Sequence, residues 1–418
     1  MKRVLILAND FPPKNTVGAE RPYSWYKYFQ KHGVKVTVVT KDYSYKGNEY
    51  SELLRSTNII RASSNRDFSS KMLTKFGEHK FIFIRKFFTL FYRLTHFFLP
   101  VGIHYSIYKA AKSELRKHSY DCILATGEPF ILFSYASRLS SMFNIDWYAD
   151  YRDDWIQNHD RTFNNDKLDK LFVHYEKYWE RRILKNVSGF SSVSEYLVNQ
   201  ISKRTRVFKY EIIENGVDLD NYIDLRSPFS KDTFNIVYTG MLYDQPYMED
   251  FIRGFELFVN KIKDLNSIKV YFIGIEQNLN QATKVIYDYA INYPNVFEFF
   301  PRMSPVNVAG YQCYANLLLS FIPGDPEKGI IAAKTYVYAS TRNPILTIPT
   351  IKNKKSPFLP NRNVQFIAIN EAEICNYILE IYGSFKNELV VQNDLTNDEV
   401  YKLSREYNSL KMIKFIFK

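Results

Sequence analysis

With 418 residues, 46% of them hydrophobic and 24% charged, the chain is too long for one ordinary core and too apolar to be disordered. Two domains of roughly 200 residues each are the natural division. The formal charge of +12 calls for an anionic partner or surface, whether nucleic acid, anionic lipid or a phosphorylated substrate, without choosing among them. Cys122, Cys313 and Cys375 stand far apart, in no CxxC or His-containing ligand spacing, which argues against a disulfide framework or a zinc site and fits a reducing cytoplasm.

The chain opens on two basic residues and an apolar run over 4–8, shorter than the hydrophobic region of a signal peptide, so it reads as a buried first strand. A Pro-rich turn, Gly18, a helical stretch over about 21–32, Gly33 and a second apolar strand over 34–40 complete a strand–helix–strand unit. Such units build parallel sheets covered on both faces. The stretch 71–112 is rich in aromatic and basic residues and includes FIFIRKFFTLFYRLTHFF. Rings at headgroup depth beside Lys and Arg suit an interfacial helix, and the same residues suit a core-packed helix pair. Arg85, Lys86, Arg93 and His96 interrupt its most apolar part, which argues against a spanning helix.

Strands at 121–126 and 145–150 flank a helix over 130–143, and a long helix over 168–185 leads to a short strand at 189–194 and a helix start at Ser194 and Glu195. One more short strand lies within 210–218, and 221–231 is polar enough to be a linker. The pattern then restarts: strand 234–240, helix 248–263, strand 269–274, helix 281–291, and strands 296–300, 316–322 and 344–349. Strands alternating with helices in both halves predict the α/β class, with two Rossmann-like, doubly wound domains. The basic residues are scattered without a reader motif, so nucleic acid is not an expected partner.

Three segments carry chemistry. NDFPPKNTVGAER (9–21) lies where the first strand hands over to the first helix, the place at which a parallel sheet and a helix N-terminus receive an anion. It is equally readable as a plain turn stiffened by two prolines. WYADYRDDW (147–155) puts three acids and one arginine directly after a strand, where they either bind a hydroxyl-rich or cationic ligand or form a structural ion pair. In PGDPEKGIIAAKTYVYASTRNPIL (323–346), Gly329 and Ile330 stand near a helix start with Lys334 about one turn in, a cradle for a diphosphate or an ordinary loop with a solvated lysine.

Taken together, FPP with Gly18 and Arg21, DYRDDW, SSVSEYL with IIENGVD, VYTGMLY and KTYVYASTRNPIL resemble, in that order, the motif series of GT-B retaining glycosyltransferases of family 4. The resemblance runs through almost the whole chain. It implies two Rossmann-like domains facing across a cleft: an acceptor-binding domain over 1–205, a nucleotide-sugar-binding domain over 206–395, and a C-terminal helix over 396–418 packing back towards the first. The implied reaction moves a hexose or N-acetylhexosamine from a nucleotide diphosphate sugar to a saccharide or lipid-linked acceptor in surface polysaccharide or lipopolysaccharide synthesis. The implied location is cytoplasmic, peripheral at an anionic inner membrane face.

By the same resemblance Lys334, Asp153 and Asp150 are the catalytic candidates, with Lys334 neutralising the leaving diphosphate and the two acids orienting hydroxyls. Gly18, Gly240, Glu327, Gly329, Ile330 and Tyr338 join Lys334 on the donor side, Arg21 and Arg152 lie on the acceptor side, and neither metal nor other cofactor is called for. Two positions depart from the family pattern. Val337 and Gly329 replace its Glu-x7-Glu pair, and MLYDQP carries no Arg or Lys after Gly240. A nucleotide-sugar 2-epimerase and a non-catalytic binder of the same fold are the alternatives.

Overall fold

The apolar run after Lys2 forms strand β1, Arg3–Leu7, with four of its five residues buried. In a computed structural model, which describes all residues except 15, 44–50, 64–74, 76–80, 100–101, 157–166, 244–246, 263, 276–279, 323–330, 355–357 and 359–363, the chain divides into two units, Met1–Asn215 with Asn408–Lys418, and Gly216–Tyr407.

In the first unit β1 is followed by β2 (Lys35–Lys41), β3 (Ile59–Ala62), β4 (Cys122–Gly127), β5 (Asp146–Tyr151), β6 (Gly189–Ser192) and β7 (Tyr210–Ile212). They form one sheet in the order β3-β2-β1-β4-β5-β6-β7, and its pairings are parallel. All six residues of β4 are buried, as a strand with helices over both faces requires. The second unit repeats the plan with β8 (Phe234–Thr239), β9 (Ile268–Ile273), β10 (Phe297–Phe300), β11 (Leu317–Ile322), β12 (Ile345–Pro349) and β13 (Phe366–Ile367), in the parallel order β10-β9-β8-β11-β12-β13. In each sheet the first strand has the second on one side and the fourth on the other, which creates a topological switch point.

The helix after β1 spans Val17–Lys31, a turn earlier than its sequence suggests, because the Thr16 hydroxyl accepts the Ala19 N–H and caps it. Gly18 and Arg21 therefore belong to a helix, and Pro22 sits inside it. Strand β3 and the helix Glu371–Lys386 were not foreseen; the strand is four residues long, too short for its alternation to register. The helix Arg405–Phe417 ends in the first unit, where Met412, Phe415 and Ile416 join Val4, Ile6 and Trp25 in a buried cluster.

Helix Ile82–Thr95 has two faces. Phe97, just beyond it, is buried against Trp155 and Trp179, whereas Phe83, Phe87, Leu90, Phe91 and Leu94 are exposed along one stripe, Phe83 at 84%. Among the described residues no helix is long and apolar enough to cross a membrane.

Candidate functional site

The switch point of the second unit lies between β8 and β11, where doubly wound sheets take ligands beyond the strands' carboxyl ends. Gly240 follows β8 with φ +106°, a conformation that L side chains rarely adopt, and the position of an added Cβ lies 3.5 Å from Lys334 Nζ. Its N–H donates to the Ile273 carbonyl at 2.8 Å, so Gly240 supplies room for a ligand, its own donor being taken up in the sheet.

Lys334 is the second residue of the helix Ala333–Thr341 and thus sits at that helix's very start, nearer its beginning than the full turn its sequence suggests. Its ammonium donates to the Tyr238 hydroxyl at 2.8 Å and rests 3.9 Å from the centre of that ring. The Tyr238 hydroxyl in turn donates to the Met241 carbonyl at 2.7 Å, so one aromatic side chain holds both the lysine and the turn after Gly240. Burial draws the Lys334 pKa down to about 7. Among the described residues Lys334 makes no ion pair, a costly state for a cation withdrawn from water.

Tyr338 lies on the same helix, fully buried, and its hydroxyl accepts the Thr239 N–H at 2.9 Å. Gln312 donates to the Thr239 hydroxyl at 2.9 Å and accepts from Tyr222 at 2.7 Å, so Tyr338 acts within a brace that sets the end of β8. Val337 packs against two apolar clusters of the unit. Glu327, Gly329 and Ile330 lie outside the described residues.

In the first unit the segment after β5 and the start of the first helix come together. Arg152 donates to Asp153 at 2.9 Å, and a Cβ on Gly18 would stand 2.5 Å from Arg152 Nη1, so the glycine leaves space for that guanidinium. Both side chains reach solvent, Asp153 more than Arg152. Arg21 and Asp150 are instead buried and bonded to each other, with Nε on one carboxylate oxygen at 2.8 Å and Nη2 on the other at 2.7 Å. The remaining Arg21 donors go to the Ile213 and Glu214 carbonyls and the Asn215 side chain. Burial pushes the Asp150 carboxyl up, but the Arg21 charge and hydrogen bonds from Arg21, Ser191 and Thr126 outweigh it and hold the pKa below the usual carboxylate range.

Tyr238 and Asp10 escape sequence reasoning, although their neighbours do not. Asp10 accepts from Lys14 and Tyr43, each at 2.8 Å, and from Asn9 and Thr16, and so pins the loop that opens the first helix. Both lie inside segments that the sequence marks, NDFPPKNTVGAER and VYTGMLY, but their distant partners, Tyr43 for Asp10 and Lys334 for Tyr238, are set by the fold. Among the described residues no three His, Cys, Asp or Glu side chains group as a metal site would require.

No family model and no curated protein matches the chain. Solved structures do. Sucrose-phosphate synthase from Thermosynechococcus elongatus matches with a TM-score of 0.61 at 13% identity over 99% of this chain and 98% of that one. HepE from Anabaena in complex with UDP-glucose matches at 0.55 and 10% identity, over 99% and 96% of the two chains. The UDP-GlcNAc 2-epimerase of Methanocaldococcus jannaschii matches at 0.51 and 10% identity, over 99% and 100%. Two parallel-sheet α/β units, matched over nearly their whole length by such proteins, give this chain the GT-B fold.

Proposed function

We propose that the protein is a glycosyltransferase whose donor is a nucleotide diphosphate sugar. The observation that carries this reading is Lys334: a desolvated lysine at a helix start, without an ion pair among the described residues, facing the open side of Gly240 at a sheet switch point. A diphosphate supplies the negative charge that such a cation lacks, and a leaving diphosphate gains charge as the glycosidic bond breaks. A fixed cation there stabilises the transition state more than the ground state. The reading asks for no metal or other cofactor. Gly240 lines the donor side in this proposal, and Tyr338 supports it from beneath through Thr239. Arg152 and Asp153, paired with each other but reaching solvent, are assigned to meet acceptor hydroxyls, while the buried Arg21–Asp150 pair is assigned a positioning role.

The transfer is read as retaining and of family 4 type, with the departing phosphate accepting the acceptor's proton and domain roles divided near residues 205 and 395. The exposed aromatic stripe of the Ile82–Thr95 helix, the exposed Lys86 beside it and the net charge of +12 support a peripheral seat on an anionic cytoplasmic membrane face and hence a lipid-linked acceptor. One observation favours a second reading: Val337 sits among apolar side chains where the family carries a glutamate, so the chain binds nucleotide sugars without turning them over.

Calorimetry with UDP- and GDP-sugars, combined with product analysis, separates the readings. Binding with transfer supports the glycosyltransferase, isomerisation an epimerase, and binding without turnover the binder. Lys334→Ala is expected to weaken nucleotide diphosphate binding by about 1–3 kcal/mol, the loss of a hydrogen bond to a charged group. Unchanged affinity in that variant would remove the assignment of Lys334.

A further inference from the structure

The helix Lys167–Ile183 of the first unit carries charge that nothing above uses. Its two carboxylates with described side chains, Glu176 and Glu180, are buried, and Glu180 accepts from Arg204 and Tyr151. Outward the helix shows Lys170, Lys177, Arg181 and Arg182, continued by Lys185 in the turn that follows, with Leu171 and Tyr178 exposed among them. Spacings of four and seven residues put these positions on one face. None of the five cations makes an ion pair among the described residues.

Cations in the last turn suit a helix dipole, which accounts for Arg181 and Arg182. Lys170 stands in the first turn, where a cation opposes the dipole, and Lys177 meets Arg181 four residues on, a like-charge pair that weakens a helix. The row is therefore not explained by the stability of its own helix. An anionic surface outside the protein supplies the charge that it lacks.

The neighbouring helix says which kind of anionic surface. Arg93 of the helix Ile82–Thr95 lies 3.8 Å from the centre of the Phe172 ring, and the Tyr175 hydroxyl donates to the Leu94 carbonyl, so the two helices pack against each other. Phe98, exposed just beyond the apolar stripe, stacks on Trp179 at 5.7 Å. Tyr178 and Arg182, on the basic face, meet the same Trp179 ring at 5.6 and 5.7 Å. Apolar stripe and basic face thus join at one side chain. Rings beside lysines and arginines match the boundary between acyl chains and headgroups, whereas nucleic acid offers charge without an apolar layer.

We propose that the helix Lys167–Ile183 reads the charge of an anionic phospholipid surface while the helix Ile82–Thr95 supplies the apolar insertion. This rests on the peripheral membrane seat proposed above and assigns its selectivity for anionic lipid to a second helix. Long Lys and Arg side chains reach headgroup phosphates while their stems lie along Leu171 and Tyr178.

The test is co-sedimentation of the full chain with vesicles of phosphatidylcholine alone and with phosphatidylglycerol added. The wild type is expected to favour the mixed vesicles. Changing Lys170, Lys177 and Lys185 together to Gln should lower affinity for the mixed vesicles on the order of a hundredfold, about fivefold for each lysine, and leave affinity for phosphatidylcholine, UDP affinity and Tm unchanged. The same three positions changed to Arg should keep the preference. A preference that survives the Gln variant would overturn the assignment and leave the membrane seat standing, with its charge reading elsewhere. Equal binding of the wild type to both vesicles would overturn both. Mixed-sequence duplex DNA held as tightly as the mixed vesicles, and released by the Gln variant, would make the face a nucleic-acid surface and overturn the lipid assignment.

Discussion

Asp150, fully buried, and Lys334, half-buried at the start of its helix, are charges held in opposite ways. Asp150 is matched by a two-point contact with Arg21, so Asp150→Asn leaves an uncompensated guanidinium inside the first unit. The expected cost is about 3–5 kcal/mol in denaturant unfolding, and a loss below about 1 kcal/mol would contradict a buried pair. Because its folded pKa is lowered, the Asp150 contribution is present above the unfolded pKa and disappears as pH falls through the folded value; the variant should lack that part of the acid dependence. Lys334 has no such match among the described residues, and its pKa falls to about 7 from 10.5. Between those values the unfolded chain holds a proton that the folded one has released, so stability rises with pH across that window. A bound diphosphate restores the proton, and UDP affinity should therefore fall as pH rises above 7. Calorimetry at pH 8 in two buffers of unlike ionisation enthalpy should give different observed heats, and identical heats would show that no proton is taken up.

Helices carry the next set of consequences. The Thr16 cap moves the first helix start into a stretch whose prolines and glycine read as loop, and thereby places Gly18 against Arg152. Helix Ile82–Thr95 is amphipathic with its apolar side outward, an arrangement that soluble cores do not need. Replacing Phe83 and Phe87 by Glu should weaken co-sedimentation with anionic vesicles about tenfold and leave Tm unchanged, since both rings are exposed. Equal sedimentation of wild type and variant, or no preference of the wild type for anionic over neutral vesicles, would remove the membrane proposal.

Across the molecule, two sheets of the same strand order each offer a switch point, and the chain's last residues return to complete the first unit. Met412, Phe415 and Ile416 are nearly fully buried there, and Tyr148 donates to the Ile416 carbonyl at 3.1 Å. At about 1.5–3 kcal/mol for each buried apolar side chain, deleting residues 408–418 removes on the order of 5 kcal/mol, comparable to a domain's whole stability. The truncated chain should melt markedly lower, or in a first transition that belongs to the first unit; an unchanged melt would show that the segment is dispensable.

Much of this architecture was legible in the linear order of residues. Short β-rich runs such as VLIL and NIVYTG are strands because a parallel sheet buries both faces, and their length, β-branched content and flanking turn residues reveal that. Gly240 and Lys334 were marked by local spacing. What local pattern could not supply was partnership. Arg21 and Asp150 lie 129 positions apart, Tyr238 and Lys334 96, and Arg61 meets Pro12 from 49 away. Whether an arginine reaches a ligand, a carboxylate or nothing depends on which strands become neighbours. That choice belongs to the packed sheet, because the energy of a buried charge is set by what surrounds it in space and not by what precedes it in the chain.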